Sequence, residues 1–236
     1  MATGAHAMLP AVADPNDPAR AAAAAAAADL VEPEMLIGLG SGRAVWKLTE
    51  LLGARDLRIR AATASNRTAE LAGSLGIEII DLDGSVELDL ALDGADEVAP
   101  DLGLIKGGGG ALLREKIVVC AARRFVVVAE TPKKVERLGE HMRLPVEVTR
   151  FAWRDTRRRL GALLPDARLR EASDGPYVTD EGHYILDCVV PPDAGAAELD
   201  LGLKRIAGVV EHGLFLGMAE RALLGTPEGE VEVLST

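Results

Sequence analysis

Apolar residues in the first half of the chain form short runs that are separated by stretches with helical spacing. Runs of strand length occur at residues 35–40, 57–63, 77–82, 88–92 and 125–129, and the spacing between them predicts helices at residues 44–52, 66–75 and 112–122. Strands that alternate with helices indicate a parallel sheet, and such sheets bind ligands at the carboxyl ends of their strands. We expect Thr63, Ser65, Asp93 and Lys106 to lie at that edge.

The pattern changes near residue 140. Short strands are predicted at residues 146–151, 167–171, 177–179 and 184–189, with helices near 153–164 and 193–207 and a hairpin turn at residues 180–183. The apolar runs at residues 209–216, 219–224 and 231–234 are predicted to return to the first domain. The expected fold class is therefore α/β, with a Rossmann-like, mostly parallel sheet domain at residues 19–139 plus 208–236 and a smaller α+β (ferredoxin-like) domain at residues 140–207.

The N-terminal part has its own composition. Residues 1–18 contain three prolines among alanine, aspartate and asparagine, which predicts a flexible extension without a packed element. Eight consecutive alanines follow at residues 21–28, and alanine is the best helix former, so a helix is expected over residues 19–29. Its small side chains suit a closely packed surface.

Composition and charge exclude several functional classes. A net charge of −11 over 236 residues argues against non-specific binding to nucleic acid or to an anionic membrane. The two cysteines, Cys120 and Cys188, lie in apolar runs, which is typical of buried residues and not of a disulfide framework. No apolar run reaches the ~18 residues of a membrane span, and the N-terminus lacks the features of a signal or transit peptide. We therefore expect a cytoplasmic protein.

Four consecutive glycines at residues 107–110 are the most informative stretch of the chain. Their N–H groups can converge on an oxyanion or a phosphate, because no side chains hold the backbone away from a ligand. The residues that follow predict a helix, whose N-terminus also favours negative charge. With Lys106 before the glycines and Glu115 after them, the stretch has the groups needed to remove a proton beside a carbonyl and to hold an enediolate. A surface turn followed by a solvated helix explains the same residues on spacing alone.

A second glycine-rich loop, at residues 38–42, follows the first predicted strand and precedes a helix, which is the order of a phosphate loop. Arg43 stands where a dinucleotide-binding fingerprint has its third glycine, and no clean acidic position closes a second strand. A nicotinamide cofactor is therefore not expected. His183, His212 and the other histidines lack the spacing of ligand pairs, so they are interpreted as turn and strand residues, and no metal site is expected.

Longer sequence words give a resemblance to a known family. Asp-Gly-Ala-Asp-Glu at residues 93–97 and Leu-Ile-Lys-Gly-Gly-Gly-Gly-Ala-Leu-Leu-Arg-Glu-Lys at residues 104–116 resemble ribose-5-phosphate isomerase of the A type. The resemblance continues through residues 38–42, Lys133 and residues 144–148, 180–187 and 208–215, and it covers nearly everything after residue 19. It implies a cofactor-free aldose–ketose isomerase of the pentose phosphate pathway that interconverts ribose 5-phosphate and ribulose 5-phosphate, as a homodimer or homotetramer.

The same resemblance implies the roles of the site residues. Glu115 would be the base that moves a proton from C2 to C1 of the open aldose, and Lys106 with the amides of residues 107–110 would stabilise the enediolate. Asp93 and Asp96 would orient hydroxyls and assist ring opening. The expected substrate-binding residues are Arg20, Gly40, Ser41, Gly42, Arg43, Asp93, Gly94, Ala95, Asp96, Lys106, Gly107, Gly108, Gly109 and Lys133.

One position departs from the family. After the first glycine loop these isomerases usually continue with Ser-Thr, whose hydroxyls help to hold the substrate phosphate, whereas this chain has Arg43-Ala44. A guanidinium can meet a phosphate with two parallel charge-assisted bonds. We hypothesise that Arg43 restores the phosphate site together with Lys133 and with Arg20, which aligns with a family lysine near the phosphate. The alternative is a solvent-facing Arg43 and a weaker phosphate site or a different substrate.

Two other functional classes occur on related folds. A non-catalytic sugar-phosphate sensor of related fold would carry a DNA-binding module and would need no carboxylate base, yet Glu115 is present and the N-terminal segment is short and rich in alanine. A CoA-transferase-like enzyme of related fold would use a glutamate as covalent nucleophile. The Asp-Gly-Ala-Asp-Glu sequence at residues 93–97 speaks against that class.

Overall fold

The computed structural model describes residues 16–235. Its helices are α1 (Asp17–Ala28), α2 (Arg43–Gly53), α3 (Asn66–Ser74), α4 (Leu112–Cys120), α5 (Trp153–Leu160) and α6 (Ala196–Lys204). Its strands are β1 (Leu36–Leu39), β2 (Arg60–Thr63), β3 (Glu78–Ile79), β4 (Leu90–Asp93), β5 (Glu97–Val98), β6 (Leu104–Ile105), β7 (Phe125–Glu130), β8 (Leu144–Val148), β9 (Ala167–Leu169), β10 (Glu171–Ala172), β11 (Gly175–Pro176), β12 (Tyr184–Cys188), β13 (Val209–His212), β14 (Leu214–Phe215), β15 (Arg221–Gly225) and β16 (Val231–Ser235).

A seven-stranded sheet forms the centre of the protein. Its order is β16-β15-β7-β4-β1-β2-β3, and only β16 runs antiparallel to its neighbour. The whole of β7 is buried, as expected for a strand that is covered on both faces. Alternate residues divide between the faces: Val126 and Val128 pack with α1 and α2, and Val127 packs with Val119 of α4. The predicted mostly parallel α/β architecture is confirmed.

Helix α1 lies against this sheet with a surface of alanines. Every buried residue of α1 other than Arg20 is an alanine. The approach is so close that a Cβ atom at Gly225 of β15 would lie 1.8 Å from the Ala19 carbonyl oxygen. The helix begins at Asp17, so the predicted extension over residues 1–18 is wrong for its last two residues, which Pro18 helps to place in the first helical turn. Residues 1–15 of that extension lie outside the described residues.

The smaller unit is built on a four-stranded antiparallel sheet of order β13-β8-β12-β9. With α5 after β8 and α6 before β13, the chain order is β-α-β-β-α-β, which is the ferredoxin-like arrangement. Its fourth strand ends at His212, so the predicted domain boundary at residue 207 leaves that strand out. The core of this unit contains Leu144, Val146, Leu186 and Leu203.

The apolar run at residues 209–216, which was predicted to return to the first domain, is divided, because the chain changes sheets at Gly213. β13 pairs with β8, whereas β14 pairs with β6 in a three-stranded sheet of order β14-β6-β5. Gly213 donates to the Pro145 carbonyl at 2.8 Å and accepts from the Lys106 N–H at 2.9 Å. A Cβ atom there would lie 2.1 Å from the Lys106 oxygen, so only glycine fits this crossing.

The predicted strand at residues 177–179 is also wrong. The short ladder in this region joins β10 to β11 and ends at Pro176, because the Arg170 N–H donates to the Ile185 carbonyl at 2.8 Å and so cannot extend the ladder to Tyr177. The turn predicted at residues 180–183 is present, since Thr179 donates to the His183 carbonyl at 2.9 Å and Gly182 donates back to Thr179 at 2.8 Å. This turn reaches towards α3 and α4 of the larger unit, where the candidate site lies.

Candidate active site

A cavity of about 650 Å³ lies at the carboxyl ends of β1 and β4 and is closed on one side by the smaller unit. Most of the residues predicted from the sequence line it: Arg20, Ser41, Gly42, Arg43, Gly94, Ala95, Asp96, Lys106, Gly107, Gly108, Gly109, Glu115 and Lys133. Gly40 and Asp93 are exceptions. They lie behind the wall, packed so closely that a Cβ atom at Gly40 would sit 1.8 Å from the Asp93 carboxyl carbon.

The Lys106 ammonium is the centre of a buried charge cluster. Its Nζ lies 2.9 Å from Asp93 Oδ2 and 3.3 Å from Glu115 Oε2, and it donates to the Gly94 carbonyl at 2.6 Å. The three charged side chains are at most 7% exposed. Each is placed by a different element: Asp93 ends β4, Lys106 follows β6, and Glu115 lies in the first turn of α4. The fold therefore assembles one cation between two carboxylates at the cavity wall.

This cluster perturbs the acidity of its members. Burial, reinforced by the negative charge of Asp93, raises the pKa of Glu115 from 4.5 to about 8. Burial lowers the pKa of Lys106, but the carboxylates of Asp93 and Glu115 outweigh it and raise that pKa above its ordinary value. With both carboxylates ionised the cluster has a net charge of −1, so a proton on Glu115 neutralises it. Glu115 is thus a stronger base than an ordinary carboxylate, next to a permanently charged ammonium.

The glycine loop adopts a backbone that its sequence permits. Gly107 has φ +102°, a conformation that favours glycine. The Gly108 N–H donates to Asp96 Oδ2 at 2.6 Å, and the Gly110 N–H donates to the Gly107 carbonyl at 2.9 Å. Ala111 then precedes α4, so the loop leads directly into the helix that carries Glu115.

The other end of the cavity contains the first glycine loop and the N-terminus of α2. Gly42 begins the helix without a side-chain cap, and the first turn contains no acidic residue, so its N–H groups are suited to an anion. Arg43 is exposed and belongs to this helix start, and Lys133 also lines the cavity. Arg20 reaches the same cavity from α1 and forms a buried ion pair with Glu130, the last residue of β7.

Several residues that line the cavity were not predicted from the sequence. Arg67 stacks on the Trp46 ring, with the guanidinium carbon 3.6 Å from the ring centroid, and both line the cavity. Asp180 and Tyr177 come from the smaller unit. Asp180 accepts from the Asn66 N–H at 3.2 Å and pairs with Arg114 at 3.3 Å, which fixes the turn at the cavity mouth. An Asn-Arg pair at a helix start and a tyrosine after a proline carry no sequence signal of such a role.

The two histidines singled out above serve other contacts. His183 Nδ1 lies 2.9 Å from buried Glu147 Oε1, and His212 is fully buried in β13, where burial and Lys116 lower its pKa to about 4. Among residues 16–235 no three His, Cys, Asp or Glu side chains are grouped as metal ligands would be. No helix in the described part of the chain is long and apolar enough to cross a membrane.

Comparison with known proteins agrees with this geometry. The sequence profile of the family described as Ribose 5-phosphate isomerase A (phosphoriboisomerase A) matches residues 60–229. Ribose-5-phosphate isomerase A of Synechococcus sp. (strain JA-3-3Ab) is 48% identical over 219 residues, which cover 90% of this chain and 95% of that one. The structure of ribose 5-phosphate isomerase A from Methanocaldococcus jannaschii superposes with a TM-score of 0.88 at 36% identity, over 94% of this chain and 100% of that one. A D-ribose-5-phosphate isomerase solved in complex with phospho-erythronic acid has a TM-score of 0.87 at 35% identity, over 92% and 97%.

Proposed function

We propose that this chain, which belongs to the ribose 5-phosphate isomerase A family, works through an enediolate with Glu115 as the base. It is an isomerase of the pentose phosphate pathway that interconverts ribose 5-phosphate and ribulose 5-phosphate. Membership of this family excludes the two alternative hypotheses, a sugar-phosphate sensor and a CoA-transferase-like enzyme. The observation that carries the proposal is a buried carboxylate of raised pKa, 3.3 Å from an ammonium and on the first turn of the helix behind the glycine loop.

The proposed reaction is a pair of proton transfers on the open-chain sugar. Glu115 accepts the C2 proton, the electrons of the C2–H bond form the C1–C2 double bond, and the aldehyde oxygen becomes an oxyanion. The same carboxyl then returns the proton to C1, while the O2 hydroxyl loses its proton to the O1 side and C2 becomes the ketone. A carboxylate with a pKa of about 8 is a stronger base than an ordinary carboxylate, and the fraction of it that is ionised and able to accept this proton grows as the pH approaches 8.

Lys106 and the glycine loop would stabilise the negative charge that develops on the oxygens. The ammonium is already oriented by Asp93 and the Gly94 carbonyl, so little reorganisation is needed during the reaction. Asp93 is 1% exposed and accepts from the N–H groups of Ser41 and Gly94, at 3.1 Å and 2.7 Å. These contacts favour a role for Asp93 in orienting Lys106, and they leave the orientation of sugar hydroxyls and ring opening to Asp96, which lines the cavity.

The phosphate would bind at the N-terminus of α2. Uncapped helix N–H groups, Arg43 and Lys133 supply donors and positive charge there, whereas the charge of Arg20 is shared with Glu130. A relative binds phospho-erythronic acid, which combines a phosphate with a carboxylate. We propose that this cavity accepts the same combination, with the phosphate at α2 and the carboxylate oxygens at Lys106 and the glycine loop.

Isotope incorporation tests the mechanism. The purified protein is incubated with ribose 5-phosphate in D₂O with a chelator, and the C1 position of ribulose 5-phosphate is examined by NMR. Proton transfer through Glu115 predicts deuterium at C1, because the base exchanges with solvent during some turnovers. Rapid isomerisation with no deuterium at C1 or C2, even after many forward and reverse turnovers, would point to a direct hydride shift and overturn the proposal.

We also propose that the protein works in the cytoplasm as a homodimer or homotetramer, as the family resemblance implies. Multi-angle light scattering after size-exclusion chromatography measures the number of subunits. A monomer at working concentration would contradict the oligomer.

A further inference from the structure

Three successive carbonyl groups of the glycine loop are held by side chains of the smaller unit. Arg170 Nη1 donates to the Gly107 carbonyl at 2.8 Å and to the Gly108 carbonyl at 3.1 Å. The Tyr177 hydroxyl donates to the Gly109 carbonyl at 3.2 Å. These three contacts hold the loop through its carbonyl oxygens.

Arg170 is itself fixed by an ion pair. Its Nε and Nη2 donate to the two carboxylate oxygens of Asp187, at 2.9 Å and 2.5 Å, and its side chain is 15% exposed. Such a bidentate pair sets the plane of the guanidinium and leaves the remaining edge pointing at the loop. Asp187 lies in β12, in the middle of the small sheet, so an internal strand fixes Asp187 and, through it, the Arg170 guanidinium.

Holding the carbonyls determines where the N–H groups point. A trans peptide unit is planar, and its N–H points opposite to its C=O. The N–H groups of Gly108 and Gly110 are used by Asp96 and by the Gly107 carbonyl. The Gly109 N–H shares a peptide unit with the Gly108 carbonyl that Arg170 holds, and no acceptor in the described part of the chain takes it up.

We propose that Arg170, oriented by Asp187, is a positioning residue that aims the Gly109 N–H into the cavity as a donor to the enediolate oxygens. The proposal rests on the function proposed above, and it adds two residues of the smaller unit that act through the glycine loop and not by contact with the substrate. The guanidinium also places a positive charge behind the peptide dipoles, which strengthens the donor that they present.

The test compares Arg170→Met with Arg143→Met. Arg143 is a matched control, because it also pairs with an aspartate (Asp166, 2.8 Å) and donates to two carbonyls (Asp166 and Asp187, 3.1 Å and 3.3 Å) in the same small sheet, but not to the loop. For each protein kcat and KM are measured with ribose 5-phosphate. Binding of two ligands is measured by calorimetry: phospho-erythronic acid, which carries anionic oxygens at the reacting end, and ribitol 5-phosphate, which carries neutral hydroxyls there.

Arg170→Met should lower kcat by about tenfold or more, since removing one oxyanion donor typically costs about 10²–10³ in kcat. It should also weaken the binding of phospho-erythronic acid by about tenfold or more. KM and the affinity for ribitol 5-phosphate should change less than about threefold. Arg143→Met should change none of these quantities more than about threefold. Equally weakened binding of both ligands would show a collapsed loop and overturn the positioning role. Parent-like kcat and affinities for Arg170→Met would also overturn it.

Two further arms keep the test decisive. If Arg170→Met does not fold, judged by its thermal transition, Arg170→Lys replaces it, and the same selective loss of phospho-erythronic acid binding is required of that variant. If the parent protein fails to isomerise ribose 5-phosphate, the proposed function fails, but the calorimetric comparison still decides whether Arg170 selects for anionic oxygens.

Discussion

Replacing Glu115 by glutamine removes the proposed base while preserving shape. The side chain is 7% exposed and its charged contact is with Lys106, which keeps Asp93 at 2.9 Å and the Gly94 carbonyl at 2.6 Å. We therefore expect Glu115→Gln to fold and to bind phospho-erythronic acid, and to lower kcat by about 10²–10⁴, the range for a lost general base. Glu147→Gln is the control, because that carboxylate is equally buried but lies outside the cavity and bonds to Thr179 and His183.

The same variant should change how stability depends on pH. The pKa of Glu115 is about 8 in the folded protein and 4.5 ordinarily, so between these values the native state binds more protons than the unfolded state. The parent therefore loses stability as pH rises through this window, by up to about 1.4 kcal/mol per pH unit. Glu115→Gln lacks this loss, so its stability relative to the parent should increase from about pH 5 to about pH 8 and level off above.

Steady-state kinetics and thermal unfolding across that pH range measure both effects. Turnover of Glu115→Gln within about threefold of the parent would remove Glu115 from the mechanism. A stability difference that stays flat with pH would show that Glu115 is ionised without cost in the fold, which contradicts the charge cluster on which its basicity depends.

Three further predictions follow from the site. In the free enzyme kcat/KM should rise with pH, about tenfold per unit below a pKa near 8, since only the ionised Glu115 accepts a proton; a pH-rate profile with no such limb above pH 6 would contradict it. Lys106→Ala should lower kcat by about 10²–10³ and raise KM much less, because the ammonium meets charge that develops only in the transition state; a change in KM alone would make Lys106 a phosphate ligand. Arg43→Ala should raise KM for ribose 5-phosphate at least about tenfold, about 1.4 kcal/mol of binding, and unchanged kinetics would refute its role at the phosphate.

The parts of the fold that follow local pattern could be predicted from the sequence. The apolar runs that became β1, β4 and β7 are too short for buried helices and are therefore assigned as strands, and the glycine loop before α4 follows from turn chemistry and helix propensity. The change of sheet at Gly213 could not be predicted, because the apolar run continues across it and only the close approach of Lys106 decides the break. Two-residue strands such as β5 and β6 are too short to show any periodicity.

The candidate site was predictable in type and only partly in position. Asp93 was expected beside the sugar, yet its oxygens are taken up by backbone N–H groups and by Lys106, contacts that depend on how three elements meet. Arg170 is 63 residues from Gly107 in the chain, and Tyr177 reaches Gly109 across 68. Such contacts depend on how the smaller unit docks, and no local pattern in a single sequence encodes that docking.

The alanine surface of α1 raises a question of register. Its buried positions are Ala19, Arg20, Ala23, Ala24, Ala27 and Ala28, and sliding the helix by one residue would place alanine on alanine at three or four of these six positions. Packing alone thus distinguishes poorly between neighbouring placements of this helix. The buried pair between Arg20 and Glu130 is the contact that makes them unequal, as polar residues do in repetitive helical interfaces. A single ion pair beside the cavity therefore fixes the register of α1 on the sheet, which its eight consecutive alanines cannot do.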